Sequence, residues 1–245
     1  MNIRLIAKLD VKPPNIVKPI CFEGLKIVGT PTELANKYYN QGIDEIFYID
    51  IVSSLYQREI LFEPIRKTVA DLFIPFAVGG GIKNINDCSN LFHAGADKIV
   101  INTFAIQHDP SIINRAAEIF GSQSVVVNIE AKQISNEWFC YTDSGKIISR
   151  TNVLSWVEEI QKRGAGEILL QSVDKDGLKS GFDINLAKEV ISKSSIPVVV
   201  ASGAGNLDHI GELLSNVSPS GIALASILHF DKVNIKTIKD YISSF

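Results

Sequence analysis

The sequence predicts a single (β/α)8 barrel, the TIM-barrel fold, built from two similar half-barrels. Three observations lead to this prediction: a length of 245 residues, eight short apolar runs that alternate with helical patterns, and an internal repeat. A barrel of this class typically uses about 250 residues. Because no linker, low-complexity segment or charge block interrupts the chain, we expect one domain over residues 1–245.

Eight runs rich in β-branched residues are the predicted barrel strands. They span residues 3–10, 45–51, 75–79, 98–102, 124–130, 167–173, 197–202 and 221–225. Their nearly continuous apolar character is typical of parallel strands that are covered on both faces. Helical patterns over residues 32–41, 86–94 and 156–163 end just before Gly42, Gly95 and Gly164, and glycine there favours helix termination. An open doubly wound sheet would begin from the same alternation.

The internal repeat favours the barrel over the open sheet. Residues 42–46 resemble residues 164–168, and residues 74–81 resemble residues 196–203, with 122 positions between the members of each pair. Two acidic residues at strand ends, Asp10 and Glu130, are 120 positions apart. Two halves of four βα units each, sharing one closed core, account for this spacing.

Composition makes several classes of function improbable. A formal net charge of -3 offers no large basic face, so we expect no nucleic-acid partner. The chain begins with a strand pattern instead of a signal peptide, and no apolar run approaches the ~18 residues that span a bilayer, so we expect no membrane attachment and a cytoplasmic location. Cys21, Cys88 and Cys140 form no CxxC pair and the four histidines lack ligand spacing, so we predict reduced thiols, no metal and no cofactor.

Two carboxyl groups are the predicted catalytic pair. In barrels of this class the chemistry takes place at the C-terminal ends of the strands, where the βα loops converge. Asp10 and Glu130 stand at matching strand ends of the two halves, where they can serve as general acid and general base if their surroundings separate their pKa values. For Asp50, Asp174 and Asp176, a role in capping a helix or ordering a loop remains equally open.

Glycine-rich turns after the third and seventh strands are the predicted phosphate sites. Small residues let backbone N–H groups approach an anion, and each turn leads into a helix N-terminus. A polar pair follows the next strand in each half. The predicted contacts are Gly81, Asn102 and Thr103 in one cup, and Ser202, Gly203, Ala225 and Ser226 in the other. Two such cups predict a substrate that carries two phosphates.

Four charged residues begin strands at the opposite, N-terminal mouth of the predicted barrel. They are Arg4, Glu45, Lys98 and Glu167, at the starts of the first, second, fourth and sixth strands. Charges at this end usually serve stability or are solvated. Their alternating signs could instead form a salt-bridged plug at the bottom of the barrel.

Together these motifs resemble the family of cyclase subunits of imidazole glycerol phosphate synthase, over essentially the whole chain. The resemblance rests on LDVK at 9–12, DI at 50–51, VGGGI at 78–82, GADK at 95–98, INT at 101–103, FGSQ at 120–123, RGAGEILL at 163–170 and DKDG at 174–177. It implies a barrel that receives ammonia from a glutaminase subunit. The barrel then converts a bisphosphorylated formimino-aminoimidazole carboxamide ribonucleotide to imidazole glycerol phosphate and aminoimidazole carboxamide ribotide, a step of histidine biosynthesis.

The resemblance also implies roles for individual residues. Asp10 matches a catalytic acid/base, and Lys18 matches a lysine of the first loop that contacts substrate. The motifs that contain Asp50, Asp176 and Gly177 imply substrate contacts there. The four charged residues at the N-terminal mouth match the family's ammonia entrance. Because this chain has no glutaminase signature, the resemblance implies a heterodimer with a separate glutaminase.

Three positions depart from the family pattern. Glu130 stands where the family has aspartate; one methylene moves the carboxyl group by about 1.5 Å, and a shift of ~1 Å can cost ~100-fold in rate. Pro13-Pro14 replaces a polar residue and glycine in the first loop. Residues 201–205 read ASGAG where the family usually has SGGAG, so the serine stands one place later.

Because of these departures, we consider two alternative functions. Residues 38–39, 53–56 and 129–132 resemble a paralogous branch associated with surface-glycan (lipopolysaccharide) synthesis. That branch implies an ammonia-channelling subunit for a sugar amidotransferase, with little or no cyclase activity. A related sugar-phosphate isomerase barrel also uses two carboxylates and two phosphate cups. It has no use for the charged ring, so we rank it last and the cyclase first.

Overall fold

The computed structural model describes residues 3–20 and 23–245, which form a closed parallel β-barrel surrounded by helices. The strands are β1 Arg4–Lys12, β2 Asn15–Ile20, β3 Glu23–Gly29, β4 Glu45–Asp50, β5 Phe76–Gly79, β6 Lys98–Ile101, β7 Val125–Ile134, β8 Glu137–Thr142, β9 Ile147–Asn152, β10 Glu167–Ser172, β11 Val198–Ala201 and β12 Gly221–Leu224. The helices are α1 Pro31–Asn40, α2 Phe62–Val69, α3 Ile85–His93, α4 Thr103–Gln107, α5 Ser111–Phe120, α6 Val153–Lys162, α7 Ile184–Lys193, α8 Leu207–Asn216, α9 Ser226–His229 and α10 Ile235–Ile242.

Eight of these strands make the barrel, in the order β1, β4, β5, β6, β7, β10, β11 and β12. Each pairs with its neighbours in parallel, and the pairing of β12 with β1 closes the ring. The predicted barrel is therefore confirmed, and all eight predicted strands are present. Their limits agree within one or two residues, except that β7 continues four residues beyond Glu130 to Ile134.

Two antiparallel hairpins were not predicted from the sequence. The β2–β3 hairpin follows β1, and the β8–β9 hairpin follows β7. The turn before β2 contains a cis peptide bond between Pro13 and Pro14. Because β1 and β7 are the first strands of the two half-barrels, both hairpins occupy the same place in the internal repeat.

The backbone angles of the glycine-rich turns repeat as the sequence does. Gly80 and Gly81 have φ values of 106° and 75°, and their counterparts Ser202 and Gly203 have values of 74° and 100°. A Cβ atom on Gly81 or Gly203 would overlap neighbouring atoms, so both turns require glycine at this position. The two turns that were predicted to bind phosphate therefore have similar backbone conformations.

The barrel interior is apolar at mid-height and polar towards both ends. Ile6, Val126 and Leu169 belong to the buried cluster inside the barrel. Since alternate residues of a strand face the same side, residues 4, 8 and 10 of β1 point inward with Ile6. The same alternation turns residues 128 and 130 of β7 and residues 167 and 171 of β10 inward, and these positions carry the candidate site.

The cysteines and helices complete the comparison with the sequence. Cys88 and Cys140 are buried and free, while Cys21 lies outside the described residues. No helix within residues 3–20 and 23–245 is both long enough and apolar enough to cross a membrane.

Candidate active site at the carboxyl ends of the barrel strands

Asp10 is held as a carboxylate by two lysines. It lies near the end of β1 with 1% of its surface exposed. Lys8 Nζ pairs with Asp10 Oδ1, and Lys18 Nζ lies 3.2 Å from Asp10 Oδ2 and 3.0 Å from Asp176 Oδ1. Burial alone would raise the pKa of Asp10, but the charges of Lys8 and Lys18 outweigh burial and lower its pKa to about 2.

Glu130, the matching residue of the second half-barrel, has neutral partners instead. Its Oε1 accepts from Asn128 Nδ2 at 3.2 Å, and its Oε2 accepts from the backbone N–H of Gly145 at 2.7 Å. Burial raises the pKa of Glu130 to about 7, against the opposing effects of Gly145, Lys8 and Asn128. Near neutral pH Asp10 is therefore ionised while Glu130 can gain or lose a proton, which is the separation that acid–base catalysis needs.

The first predicted phosphate cup opens into a cavity of about 540 Å³. Its lining includes Asp50, Gly80, Gly81, Asn102, Thr103, Glu130 and Asp143. Asn102 Oδ1 is buried with no partner within the described part of the chain. Thr103 Oγ1 accepts from the backbone N–H of Asp143 at 3.1 Å, which leaves the hydroxyl proton free to donate to a ligand.

Two of the aspartates order loops. Asp50 lines the first cavity, but its Oδ1 accepts from the backbone N–H of Ser53 at 3.0 Å and its Oδ2 pairs with Arg58. Asp174 Oδ2 accepts from the backbone N–H of Gln133 at 2.9 Å, on the extension of β7. For Asp174 the loop-ordering alternative therefore accounts for its contacts.

The second predicted cup surrounds a much smaller cavity of about 20 Å³. It is lined by the four predicted members of the cup, Ser202, Gly203, Ala225 and Ser226. It is also lined by Lys18, Asp176 and Gly177, for which the resemblance implied substrate contacts. Lys8, Lys179 and Gln171 line it as well. Asp176 Oδ2 is buried and has no partner among the residues described. The structure thus brings together the residues that were assigned to this cup.

The four charged residues at the N-terminal mouth form a closed ring. Arg4 contacts both Glu45 and Glu167, and Lys98 Nζ lies 2.7 Å from Glu45 Oε1 and 2.9 Å from Glu167 Oε2. Both carboxylates are buried, and burial raises the pKa of Glu45 against the effect of Lys98. The salt-bridged ring that the alternating charges suggested is therefore present in the structure.

Sequence reasoning missed several polar residues at the site. Lys8, Asn128 and Gln171 face the barrel interior, and each stands two or four residues from a predicted site residue of its own strand, namely Asp10, Glu130 and Glu167. That period of two is the signal that could have identified them. The β8–β9 turn was also missed: Ser144 Oγ donates to the backbone carbonyl of Ile51 at 2.6 Å, so the turn reaches across the barrel mouth.

The chain is similar to known proteins over almost its whole length. The family model described as "Histidine biosynthesis protein" matches residues 4–234. The chain is 42% identical over 241 residues to "Imidazole glycerol phosphate synthase subunit HisF" of Campylobacter concisus, which covers 98% of this chain and 95% of that protein. Proteins of the same name from Clostridium botulinum and Saccharolobus solfataricus are 43% and 40% identical, again over 98% of this chain and 95% of theirs. The surface-glycan alternative finds no support among these relatives. The chain therefore belongs to the histidine biosynthesis protein family, among the HisF subunits of imidazole glycerol phosphate synthase.

Proposed function

We propose that this chain is the cyclase subunit of an imidazole glycerol phosphate synthase and acts with a separate glutaminase subunit. The observation that carries the proposal is the pair of buried carboxyl groups, Asp10 and Glu130, whose pKa values are about 2 and about 7. Glu130 lines the first cup, and Asp10 contacts Lys18 of the second. The shared name of the relatives supports it.

The two carboxyl groups have different roles in the reaction. Addition of ammonia requires a group that accepts a proton from nitrogen, and release of aminoimidazole carboxamide ribotide requires a group that protonates the departing nitrogen. Glu130 can do either because its pKa is close to 7. Asp10 remains anionic and stabilises positive charge on nitrogen, and it becomes a stronger base when Lys18 moves away from it.

The two cups hold the two phosphates of the substrate. Gly81, Asn102 and Thr103 bind one phosphate, and Gly203 and Ser226 bind the other. Lys18 adds positive charge beside the second cup. The substrate therefore spans the barrel mouth, with its reacting centre over Asp10 and Glu130.

Ammonia enters from the opposite end of the barrel. An open depression of about 610 Å³ at the N-terminal face is lined by Arg4, Lys98, Gln123 and Glu167. We place the glutaminase on this face. Ammonia then passes the charged ring and follows the apolar interior, where Ile6, Val126 and Leu169 offer no competing hydrogen bonds.

An assay without the partner tests this function directly. The purified chain receives the bisphosphorylated formimino ribonucleotide and an ammonium salt at alkaline pH, where free ammonia is available. We expect formation of both products, loss of turnover in Asp10→Asn, and unchanged turnover in the matched control Asp174→Asn. Binding without turnover would contradict the proposal, and Glu130→Asp would then show whether side-chain length is the reason.

A further inference from the structure

A chain of buried amides leads from β10 to Glu130. Gln171 Nε2 donates to Asn128 Oδ1 at 2.8 Å, and Asn128 Nδ2 donates to Glu130 Oε1 at 3.2 Å. Gln171 is 1% exposed and Asn128 is 3% exposed. Asn128 lines the first cavity and Gln171 lines the second, so the pair lies between the two cups.

Both hydrogen bonds that Glu130 makes in the structure are donated to its carboxyl group. A backbone N–H only donates, so Gly145 cannot accept a proton from Glu130 Oε2. The Asn128 carbonyl oxygen is occupied by Gln171, so Asn128 presents its amino group to Glu130. Both oxygens of Glu130 therefore face donors, and neither neighbour can accept the proton of a neutral carboxyl group.

Stability alone does not account for this amide pair. Gln171 Oε1 is buried and has no partner among the residues that the structure describes. A buried acceptor without a partner costs free energy, and two apolar side chains of similar shape would avoid that cost. The bond to Asn128 is the one described hydrogen bond of the Gln171 side chain.

We propose that Asn128 and Gln171 are positioning residues for the proposed reaction, because they keep the Glu130 proton directed to the ligand cavity. Gln171 prevents the Asn128 amide from turning. If Asn128 turned, its Oδ1 would face Glu130 and accept the carboxyl proton, which would then be withheld from the substrate. The inference rests on the proposed function for its catalytic meaning, while the hydrogen-bond roles can be tested without turnover.

Several other titratable or polar groups face Glu130 and influence its titration. Lys8 faces it from β1, and Asp143 faces it from the turn between β8 and β9. Burial raises the pKa of the Cys140 thiol of β8, and the charge of Glu130 raises it further. Tyr141 lies opposite Glu130 in the β7–β8 ladder. On β10, the uncharged Gln171 lies opposite Glu130 in the β7–β10 register and bonds to Asn128.

Titration of Glu130 in four proteins tests the proposal. The carboxyl carbon of Glu130 is followed by NMR in protein carrying ¹³C-carboxyl glutamate, and Glu130→Gln assigns its signal. We expect Asn128→Leu to raise the Glu130 pKa by about one unit, a tenfold change in protonation, because the charged form loses a donor. Gln171→Met should also raise it, because Asn128 can then turn and accept the proton.

The double variant gives the decisive result. If Gln171 acts only through Asn128, Gln171→Met added to Asn128→Leu changes the Glu130 pKa no further. An equal shift in both backgrounds, or no shift in Gln171→Met alone, would overturn the proposal. Val199→Ala is the matched control, since it alters the barrel interior without removing a hydrogen bond. Asn128→Ala and Gln171→Leu replace any variant that does not fold.

Kinetics then connect the titration to the reaction. In the ammonium assay, the limb of the kcat profile that Glu130 controls should move to higher pH in both single variants, with KM for the ribonucleotide changed less than twofold. A KM change without a shift of the pH profile would contradict a positioning role. If the wild-type chain does not turn over at all, the proposed function fails, but the NMR titration still decides whether the amide pair positions Glu130.

Discussion

At the scale of single residues, the site depends on two matching carboxyl groups that receive different neighbours. Asp10 contacts the ammonium groups of Lys8 and Lys18, whereas Glu130 receives one amide N–H and one backbone N–H. Charged donors favour ionisation more strongly than neutral donors do. The two halves of the barrel therefore hold, at equivalent positions, a carboxylate and a carboxyl group with a pKa of about 7.

The role of Lys8 can be measured separately. In Lys8→Met, Asp10 keeps Lys18 but loses its closest positive charge. We expect the Asp10 pKa to rise from about 2 by roughly 1–2 units, measured by NMR of ¹³C-carboxyl aspartate. Lys12→Met changes an exposed lysine of the same strand and should leave the Asp10 signal in place. An unchanged pKa in Lys8→Met would mean that Lys18 alone keeps Asp10 ionised.

Glu130 should make stability depend on pH. Its pKa is raised from 4.5 to about 7 in the folded chain, so the folded state binds this proton more tightly than the unfolded state between these pH values. As pH rises through this window, the contribution of Glu130 to the free energy of unfolding falls by about 3 kcal/mol. Urea unfolding should show that, between pH 5 and pH 8, the free energy of unfolding of Glu130→Gln rises relative to that of the wild type by a comparable amount. The exposed variant Glu189→Gln should show no such pH-dependent gain.

The sequence identified the residues of the site better than it identified their partners. Asp10, Glu130 and the charged ring follow from their positions at strand ends. Lys8, Asn128 and Gln171 were overlooked because each interrupts an apolar run, and the reason for a polar group there lies on another strand. Asn128, for example, is satisfied by Gln171 of β10, 43 positions away, and no local pattern shows that contact.

At the scale of secondary structure, the β8–β9 hairpin is tied across the barrel mouth at its turn. Asp143, Ser144 and Gly145 have φ values of 52°, 57° and 72°, and each bonds to a different part of the site. Strand β8 escaped prediction because Ser135 and Asn136, with φ values of 49° and 70°, form the turn between β7 and β8 without the Asn-Gly or Asp-Gly pair that usually marks a hairpin.

The bond from Ser144 to Ile51 should limit the motion of this turn. Ser144→Ala removes a hydrogen bond worth about 1 kcal/mol, so we expect the Gly145 amide to exchange its hydrogen roughly fivefold faster. Hydrogen exchange followed by NMR measures this directly. Ser149→Ala changes a hydroxyl of β9 that bonds to Cys140, and it should affect Gly145 less. Equal exchange rates in Ser144→Ala and the wild type would show that other contacts hold the turn.

At the scale of the whole molecule, the barrel has a closed charged end and an end that opens to ligand. The ring of Arg4, Glu45, Lys98 and Glu167 closes the N-terminal mouth, while the first cavity opens at the opposite mouth. In the complex we propose, ammonia from solution reaches the first cavity without passing the ring, whereas ammonia from a partner on the N-terminal face has to pass it. The two routes can therefore be separated by changing the ring.

Lys98→Met is the variant that separates the two routes. It removes the salt bridges of Lys98 to Glu45 and Glu167, and because those carboxylates are buried we expect stability to fall by about 3 kcal/mol. Both rates are measured on one preparation, so a loss of folded protein lowers them equally. Glutamine-dependent turnover with the partner should fall at least fivefold relative to ammonium-dependent turnover. The reason is that ammonia from the partner has to pass the altered ring, whereas ammonia from solution does not. Lys193→Met, which breaks a surface pair with Glu158, should leave the ratio unchanged. A parallel loss of both activities in Lys98→Met would mean that the ring contributes only to the stability of the barrel.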